Sequence, residues 1–195
     1  PNSYGIDIPT KVIFGPGRLR ELGEISSGLG KKAFVIMDPF LRDSKIAGQV
    51  LDGLRKNGVK FKEWYDVVSN PRAETIDAAA ELARTENCDH VVALGGGSSL
   101  DSAKAVCIVA TNAGSSWDYT IREGTTVPEI THPVLPLLTI PTTAGTGSEV
   151  TPYAVVSNPK ETMKATIADR RIFPAVSLVD PELHISKPKA LTAST

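Results

Sequence analysis

The stretch Val91-Val92-Ala93-Leu94-Gly95-Gly96-Gly97-Ser98-Ser99-Leu100-Asp101 decides the fold. Its apolar, β-branched start indicates a buried strand, and three glycines end that strand abruptly. Residues 98–110 have the pattern of a helix, with Ser98 or Ser99 available as its N-cap. A strand that enters a helix through a glycine turn is the repeating unit of a parallel sheet covered by helices. We therefore predict an α/β fold.

The segments on either side repeat this alternation. Strands are predicted at residues 11–14, 32–37, 59–65, 90–94, 134–140 and 176–179, and helices at 18–25, 44–56, 73–86 and 98–110. Residues 153–157 and 162–167 are predicted to pair as a hairpin, and residues 112–133 to run irregularly over the surface. The pattern favours a Rossmann-like parallel sheet flanked by helices, with an N-terminal β-strand and a β-hairpin excursion.

The turn at Gly95, Gly96 and Gly97 predicts a phosphate site. Glycines let a ligand approach the backbone, and the free amides and dipole of a helix start attract an anion. The turn does not complete a G-x-G-x-x-G pattern, because Leu100 holds the third position, and no Walker lysine follows it. A tight turn without a ligand is the alternative, although such a turn needs at most one or two glycines.

Two further segments place polar groups after predicted strands. Asp38 follows strand 32–37, where a carboxylate can bind an adenosine ribose and repel a 2′-phosphate; a plain turn aspartate before Pro39 is the alternative. Residues 138–151 crowd hydroxyls and glycines after another strand, and a Ser/Thr loop that caps a helix is the alternative there. Ligands of open α/β sheets bind at the carboxyl ends of the strands, so all three segments predict one dinucleotide site. Asp38 precedes the glycine turn, which requires an unusual strand order.

Composition and charge exclude several other functions. The net charge of −1 over 195 residues gives no footprint for nucleic acid or an anionic membrane surface, and no apolar run is long enough to span a membrane. His90, His132 and His184 lack metal-ligand spacing, and no Ser-His-Asp arrangement can be drawn from the sequence. Two cysteines are too few for a disulfide framework, and no signal peptide is evident, so we expect a cytoplasmic protein.

In these segments the sequence resembles the iron-containing alcohol dehydrogenase family. The likeness begins at residues 9–17, continues through the glycine turn with Asp101 and Lys104 and through residues 139–151, and closes at residues 179–183 and 191–193. The resemblance implies an NAD(P)-binding α/β domain over residues 1–186. Residues 187–195 would begin the first helix of an all-helical metal-binding domain that is absent. It also implies an NAD-dependent oxidoreductase that interconverts a primary alcohol and an aldehyde by hydride transfer.

The resemblance further implies roles for individual residues. Gly96, Gly97 and Ser98 would hold the pyrophosphate, with Gly95 in the same turn, and Asp38 would favour NAD over NADP. The other positions that match cofactor-lining positions of the family are Asn70, Asp101, Thr139, Thr142, Ser148, Val150, Lys160 and Leu183. The family's metal ligands, an aspartate and three histidines, are expected after Thr195. We therefore expect no catalytic or metal-binding residue in this segment, Fe²⁺ or another divalent metal only in the full-length enzyme, and no activity from the segment alone.

Several alternatives stay open at this point. Glycerol dehydrogenase and dehydroquinate synthase share the layout and the triple glycine, and a non-catalytic nucleotide-binding module is a further reading. The partners expected are a small alcohol or aldehyde in the full-length enzyme, with no nucleic acid or membrane. Strand 11–14 is expected at an exposed sheet edge, where a second copy could pair with it to form a homo-oligomer.

Overall fold

The computed structural model describes residues 7–185, and its centre is a parallel six-stranded sheet. The strands are β1 (Lys11–Phe14), β2 (Lys32–Met37), β3 (Lys60–Trp64), β4 (His90–Gly95), β5 (Leu137–Pro141), β6 (Tyr153–Asn158), β7 (Met163–Ala168) and β8 (Val176–Val179). The order in the sheet is β1-β8-β5-β4-β2-β3, and β6 pairs with β7 as a separate antiparallel hairpin. The helices are α1 (Leu22–Leu29), α2 (Lys45–Lys56), α3 (Ala73–Thr85) and α4 (Gly97–Val109). The predicted α/β fold and hairpin excursion are confirmed.

Helices cover both faces of the sheet, because the central strands carry apolar side chains on both sides. In β2, Val35 and Met37 pack in the cluster that includes α1 and α2. Phe34 and Ile36 face the opposite way and pack in the cluster that includes α3, α4 and the hairpin. Successive side chains of a strand point to opposite faces, so a strand buried on both faces has the continuous apolar run seen in the sequence.

The strand order explains how Asp38 can precede the glycine turn. β4 lies between β2 and β5 and is parallel to both, so the carboxyl ends of these three strands are neighbours. Asp38 follows β2, the glycine turn follows β4, and the hydroxyl-rich loop over residues 142–152, the loop after β5, follows β5. The three segments singled out in the sequence therefore meet at one edge of the sheet.

The start of α4 differs from the expectation. The helix begins at Gly97 rather than Ser98, its N-cap is Gly96, and no side chain caps it. The expectation that Ser98 or Ser99 caps the helix was wrong. Ser99 already lies within the helix, and its hydroxyl is buried beneath Gly95, where it cannot bond a helical amide.

Two other predicted element boundaries also differ from those in the structure. The predicted helix over 18–25 is a 3-10 turn (Arg18–Glu21) followed by α1, which extends to Leu29. The strand predicted over 134–140 begins only at Leu137, and the residue before it, Pro136, has no amide to donate to a strand ladder.

Asp180 connects the turns that follow the two neighbouring strands β1 and β8. Its buried carboxylate accepts hydrogen bonds from the amides of Gly17 at 3.1 Å, Leu19 at 3.0 Å and Glu182 at 3.0 Å. These bonds hold the turn after β1 against the turn after β8, two strands that pair in parallel. Asp180 and its three hydrogen bonds, called the Asp180 clamp below, therefore hold β1 in place beside β8.

The segment over residues 112–133 is irregular but does not simply run over the surface. Trp117, Tyr119 and Ile130 are buried in the core on the α3 and α4 side, so this part of the expectation was wrong. Within residues 7–185 no helix combines the length and apolarity needed to cross a bilayer. The helix start predicted at residues 187–195 lies outside the described residues.

Candidate functional site

The glycine turn has a backbone that only glycine accommodates at its first position. Gly95 has a φ of +150°, and a Cβ placed on it would stand 2.4 Å from the Ser99 Oγ. The Gly95 carbonyl accepts a hydrogen bond from the Thr142 amide at 2.9 Å, which joins the loop after β5 to the turn. The turn is therefore fixed on both sides before any ligand arrives.

The start of α4 offers backbone donors to a ligand. The amides of Ser99 and Leu100 bond to the Gly96 carbonyl at 3.0 and 3.1 Å. The amides of Gly97 and Ser98 come before the first of these bonds, so they have no acceptor within the helix. Both residues are half-buried, at the positive end of a 13-residue helix. Such a helix start favours a phosphate group.

The loop after β5 packs directly on the glycine turn. A Cβ on Gly96 would stand 3.2 Å from the Thr143 Oγ1, and a Cβ on Gly97 would stand 2.9 Å from the Thr146 Cγ2. No side chain fits between the turn and the loop without moving one of them. The two segments thus form one continuous backbone surface rather than two separate loops.

Asp38 serves a structural purpose and keeps a free acceptor. Its Oδ1 accepts the Phe40 amide at 3.0 Å and caps a short 3-10 turn, Pro39–Leu41. Its own amide donates to the Leu94 carbonyl at 3.2 Å, which places it beside the end of β4. Its other oxygen, Oδ2, accepts no hydrogen bond from residues 7–185. The carboxylate can therefore hold the turn and still bind a ribose hydroxyl.

Asp101 and Ser148 belong to a buried polar network that also contains Lys104. The Ser148 Oγ lies 2.7 Å from the Asp101 Oδ1 and 2.9 Å from the Lys104 Nζ. The second Asp101 oxygen accepts the Val155 amide at 3.0 Å. Burial lowers the pKa of Lys104 to about 8, although the negative charges of Asp101 and Glu149 act in the opposite direction. In the sequence, Lys104 stands out only as part of the family pattern, and the available signal was its position one turn after Asp101.

Three other predicted cofactor-lining residues lie at or near the same sheet edge. Thr139 is buried within β5, and its hydroxyl donates to the Val176 carbonyl at 3.5 Å. Val150 is half-buried in the loop after β5. Leu183 is buried in the α1 and α2 core and also lines a groove of about 880 Å³, together with Ser44 and other residues. The glycine turn does not line this groove.

Asn70 and Lys160 lie on segments that contact each other. Asn70 is exposed with a φ of +58°, and its side chain accepts a hydrogen bond from Lys164 at 2.6 Å. Lys160 is exposed in the hairpin turn, where its amide donates to Asn158 at 3.1 Å. The Ser157 amide also bonds to the Pro71 carbonyl at 2.6 Å. The structure joins these two segments, but no hydrogen bond joins Asn70 or Lys160 to the glycine turn.

A Ser-His-Asp arrangement lies at the opposite, amino-terminal edge of the sheet. The Ser26 Oγ is 2.6 Å from the His90 Nε2, and the His90 Nδ1 is 2.7 Å from the Asp89 Oδ1. The sequence gives no sign of this arrangement, because Ser26 lies 64 residues before His90. Ser26 and His90 are fully buried, and burial lowers the pKa of His90. The cluster stabilises the packing of α1 on β4 and presents no exposed nucleophile.

The described residues contain no metal centre. Over residues 7–185, no group of three or more histidine, cysteine, aspartate or glutamate side chains is arranged to hold a metal ion. His132 and His184 lie apart from the site, on the irregular segment and on the turn after β8. The polar groups at the carboxyl edge are hydroxyls, amides and paired charges, which suit a nucleotide better than a cation.

The chain is similar to several dehydrogenases over nearly its whole length. A choline dehydrogenase of Bacillus subtilis (strain 168) is 39% identical over 98% of the chain, and an NAD-dependent methanol dehydrogenase of Bacillus methanolicus is 36% identical over 96%. A solved alcohol dehydrogenase from an archaeal, halo-thermophilic source in a Red Sea brine pool matches 98% of the chain at a TM-score of 0.93 and 34% identity. The chain spans about half the length of each, namely 48%, 48% and 49%.

The family profile described as iron-containing alcohol dehydrogenase matches residues 9–181, which is most of the sequence. It covers Asp38, the glycine turn and the loop after β5, the three segments that the structure brings to one sheet edge. The chain belongs to the iron-containing alcohol dehydrogenase family.

Proposed function

We propose that this chain binds NAD and forms the dinucleotide-binding half of a metal-dependent alcohol dehydrogenase that interconverts a primary alcohol and an aldehyde. The observation that carries the proposal is the meeting of Asp38, the glycine turn and the loop after β5 at one sheet edge. The NAD-dependent methanol dehydrogenase among the relatives supports the choice of cofactor.

Each of the three segments of the site would bind a different part of the dinucleotide. The amides of Gly97 and Ser98 would take the pyrophosphate, where the dipole of α4 favours negative charge. The free oxygen of Asp38 would bind the ribose of the adenosine and exclude a 2′-phosphate, which favours NAD over NADP. The loop after β5, with Thr142, Ser148 and Val150, would line the remainder. When bound, NAD supplies the hydride chemistry, and these residues only bind and orient it.

The relatives indicate which part of the reaction this half serves. Dehydrogenases named for substrates as different as choline and methanol match the same half with 39% and 36% identity. This supports a shared cofactor site here and an alcohol-selecting region elsewhere. The family resemblance implies an aspartate and three histidines as metal ligands, and we propose that these lie beyond Thr195. The 195-residue chain is then expected to show no turnover with primary alcohols, NAD and added Fe²⁺ or Zn²⁺.

The test is a calorimetric titration of the 195-residue chain with NADH and, in parallel, with NADPH. Binding of NADH with clear preference over NADPH is the expected result. Equal binding of both would keep the phosphate site and remove Asp38 as the selector. If neither binds, the titration is repeated on a chain extended into a helical, metal-binding segment, and a second failure would overturn the proposal.

We also propose that two copies associate through the edge strand β1. Along β1, Val12 and Phe14 are 47% and 69% exposed, and β8 is the only strand of the described chain that pairs with it. An unpaired edge with apolar side chains is a template for another strand. Antiparallel pairing of two β1 strands would extend the sheet across a two-fold axis.

A cytoplasmic location is the final element of the proposal. Both cysteines, Cys88 and Cys107, are free and buried, and burial raises the pKa of each thiol. Buried protonated thiols suit a reducing compartment. Fractionation of the native cells, with detection by antibody, tests this; recovery in an oxidising compartment would contradict it.

A further inference from the structure

Lys104 is fully buried in the middle of α4, which is rare for a lysine unless its charge is paired. Its Nζ donates to the Tyr153 carbonyl at 2.8 Å, the Ser148 Oγ at 2.9 Å and the Thr151 Oγ1 at 3.5 Å. The three acceptors belong to the end of the loop after β5 and to the start of β6. One ammonium group therefore holds three points of the chain against α4.

The hydrogen-bond directions follow from the chemistry of the groups. An ammonium has donors and no acceptor, so Ser148 must accept from Lys104 and direct its own hydroxyl proton to Asp101. Both oxygens of Asp101 accept hydrogen bonds, one from the Ser148 hydroxyl and the other from the Val155 amide. The charge of Lys104 and the charge of Asp101 are thus joined through a single serine, with Glu149 as a second nearby carboxylate.

The same serine links the network to the glycine turn. The Ser148 amide donates to the Thr146 Oγ1 at 3.3 Å, and the Thr146 methyl is the group that covers Gly97. A displacement of Ser148 would therefore be transmitted through Thr146 to the helix start. Lys104 itself lies inside the fold and does not reach the ligand surface.

We propose that Lys104 is a positioning residue that holds the loop after β5 at the distance from the glycine turn that a bound dinucleotide requires. The inference rests on the proposed function, since it concerns the same site. It adds that the buried charge of Lys104 sets the distance between the two sides of that site. It also links the affinity for the dinucleotide to the protonation of one lysine.

The protonation of Lys104 falls in a range that can be measured. Burial lowers its pKa to about 8, opposed by Asp101 and Cys107 on α4 and by Glu149 on the 3-10 turn Ser148–Val150, whereas β6 contributes a backbone carbonyl. Above that pH the neutral amine loses its attraction to both carboxylates and one of its donors. The affinity for NADH should therefore fall as the pH rises through about 8.

The first test needs no ligand. Hydrogen exchange of the amides over residues 148–155 is compared between the wild-type chain, Lys104→Met and Lys31→Met, an exposed control at the opposite end of the sheet. We expect Lys104→Met to accelerate exchange in this segment by about tenfold or more, with α2 and α3 unchanged, and Lys31→Met to have no effect. Unchanged exchange in a folded Lys104→Met chain would overturn the inference.

The second test measures the NADH dissociation constant from pH 6.5 to 9.5. Wild-type affinity should weaken about tenfold across pH 8, Lys104→Met should be weak and independent of pH, and Lys104→Arg should show no inflection because arginine stays charged. A wild-type affinity that is flat across this range contradicts the proposal. If neither this chain nor the extended chain binds NADH while exchange still accelerates in Lys104→Met, the proposed function fails, and Lys104 is shown only to hold the loop after β5 against α4. If Lys104→Met does not fold, wild type and Lys104→Arg decide the matter.

Discussion

The Cβ of Asp38 lies 3.4 Å from the point where a Cβ would stand on Gly95. Asp38 directly follows β2 and Gly95 ends β4, and these two strands pair in parallel with Met37 opposite Leu94. A carboxylate is therefore held beside the glycine turn by sheet pairing rather than by a local motif. The consequence is that ribose and pyrophosphate groups can be bound by residues far apart in the sequence.

Removing the charge of Asp38 should remove the preference for NADH. Asp38→Asn keeps an oxygen that can accept the Phe40 amide, so the 3-10 turn is retained, but it no longer repels a 2′-phosphate. We expect the NADH affinity to fall about tenfold and the NADPH affinity to rise. Parallel calorimetric titrations measure both, with the exposed Asp43→Asn as the control. An unaltered ratio of the two affinities would eliminate Asp38 as the selector.

A methyl group on Gly97 should separate the glycine turn from the loop above it. Gly97→Ala places a Cβ 2.9 Å from the Thr146 Cγ2, so the loop must shift, and we expect NADH affinity to drop by about tenfold or more. Thr146→Ser removes that methyl but keeps the Oγ1 that accepts the Ser148 amide. The double variant should therefore recover most of the affinity. Undiminished binding by Gly97→Ala alone would show that the contact is irrelevant.

Gly30 should prove essential for stability, whereas nearby Gly28 should not. A Cβ on Gly30 would stand 2.1 Å from the Asp89 Oδ1, the atom that bonds both His90 and the Lys32 amide. We expect Gly30→Ala to lower the free energy of unfolding by about 1–3 kcal/mol. Gly28→Ala meets no atom within 4 Å and should raise it by at most about 1 kcal/mol. Urea denaturation measures both; equal effects would contradict the prediction.

The buried His90 should make the protein less stable in mild acid. Burial lowers its pKa below the ordinary value of 6.5, so the unfolded chain takes up a proton that the folded chain refuses. Stability is then retained above about pH 6.5 and declines as the pH falls below it, by up to about 1.4 kcal/mol per pH unit. His90→Gln should flatten the curve between about pH 4.5 and 6.5, above the ordinary pKa values of carboxylates. A variant with the wild-type slope would assign the acid sensitivity elsewhere.

A charge on the edge strand should prevent self-association. Phe14→Lys places an ammonium where Phe14 is 69% exposed, and a lysine on an edge strand opposes pairing with another strand. We expect the wild-type chain to have the mass of a dimer in light scattering and Phe14→Lys that of a monomer. Ile121→Lys, which is 59% exposed on the irregular segment, is the control and should remain dimeric. A wild-type monomer at high concentration would rule out the edge interface.

The sequence predicts most of the sheet, because each central strand is a continuous apolar run between turn residues. It also predicts the three segments of the site, since glycines and hydroxyls after strands have few structural uses. It does not show that β2 and β4 are neighbours, because strand order is set by long-range packing. The pairing of Ser26 with His90, and of Lys104 with Ser148, also escapes pattern analysis. α4 is buried on nearly all sides, so it has no polar face that would mark Lys104 as unusual.

The Asp180 clamp has a consequence for the order of assembly. β1 pairs only with β8 among the described strands, and the amide of Gly17 donates to the carboxylate of Asp180, 163 residues further along the chain. During synthesis β1 therefore cannot pair with β8 until the chain has emerged past residue 179. The inner strands can form their ladders earlier, so the edge of the sheet is the last part to be completed. Exposed Val12 and Phe14 are thus accessible to other chains throughout that interval, which makes the nascent strand a site where chaperones or premature association would act.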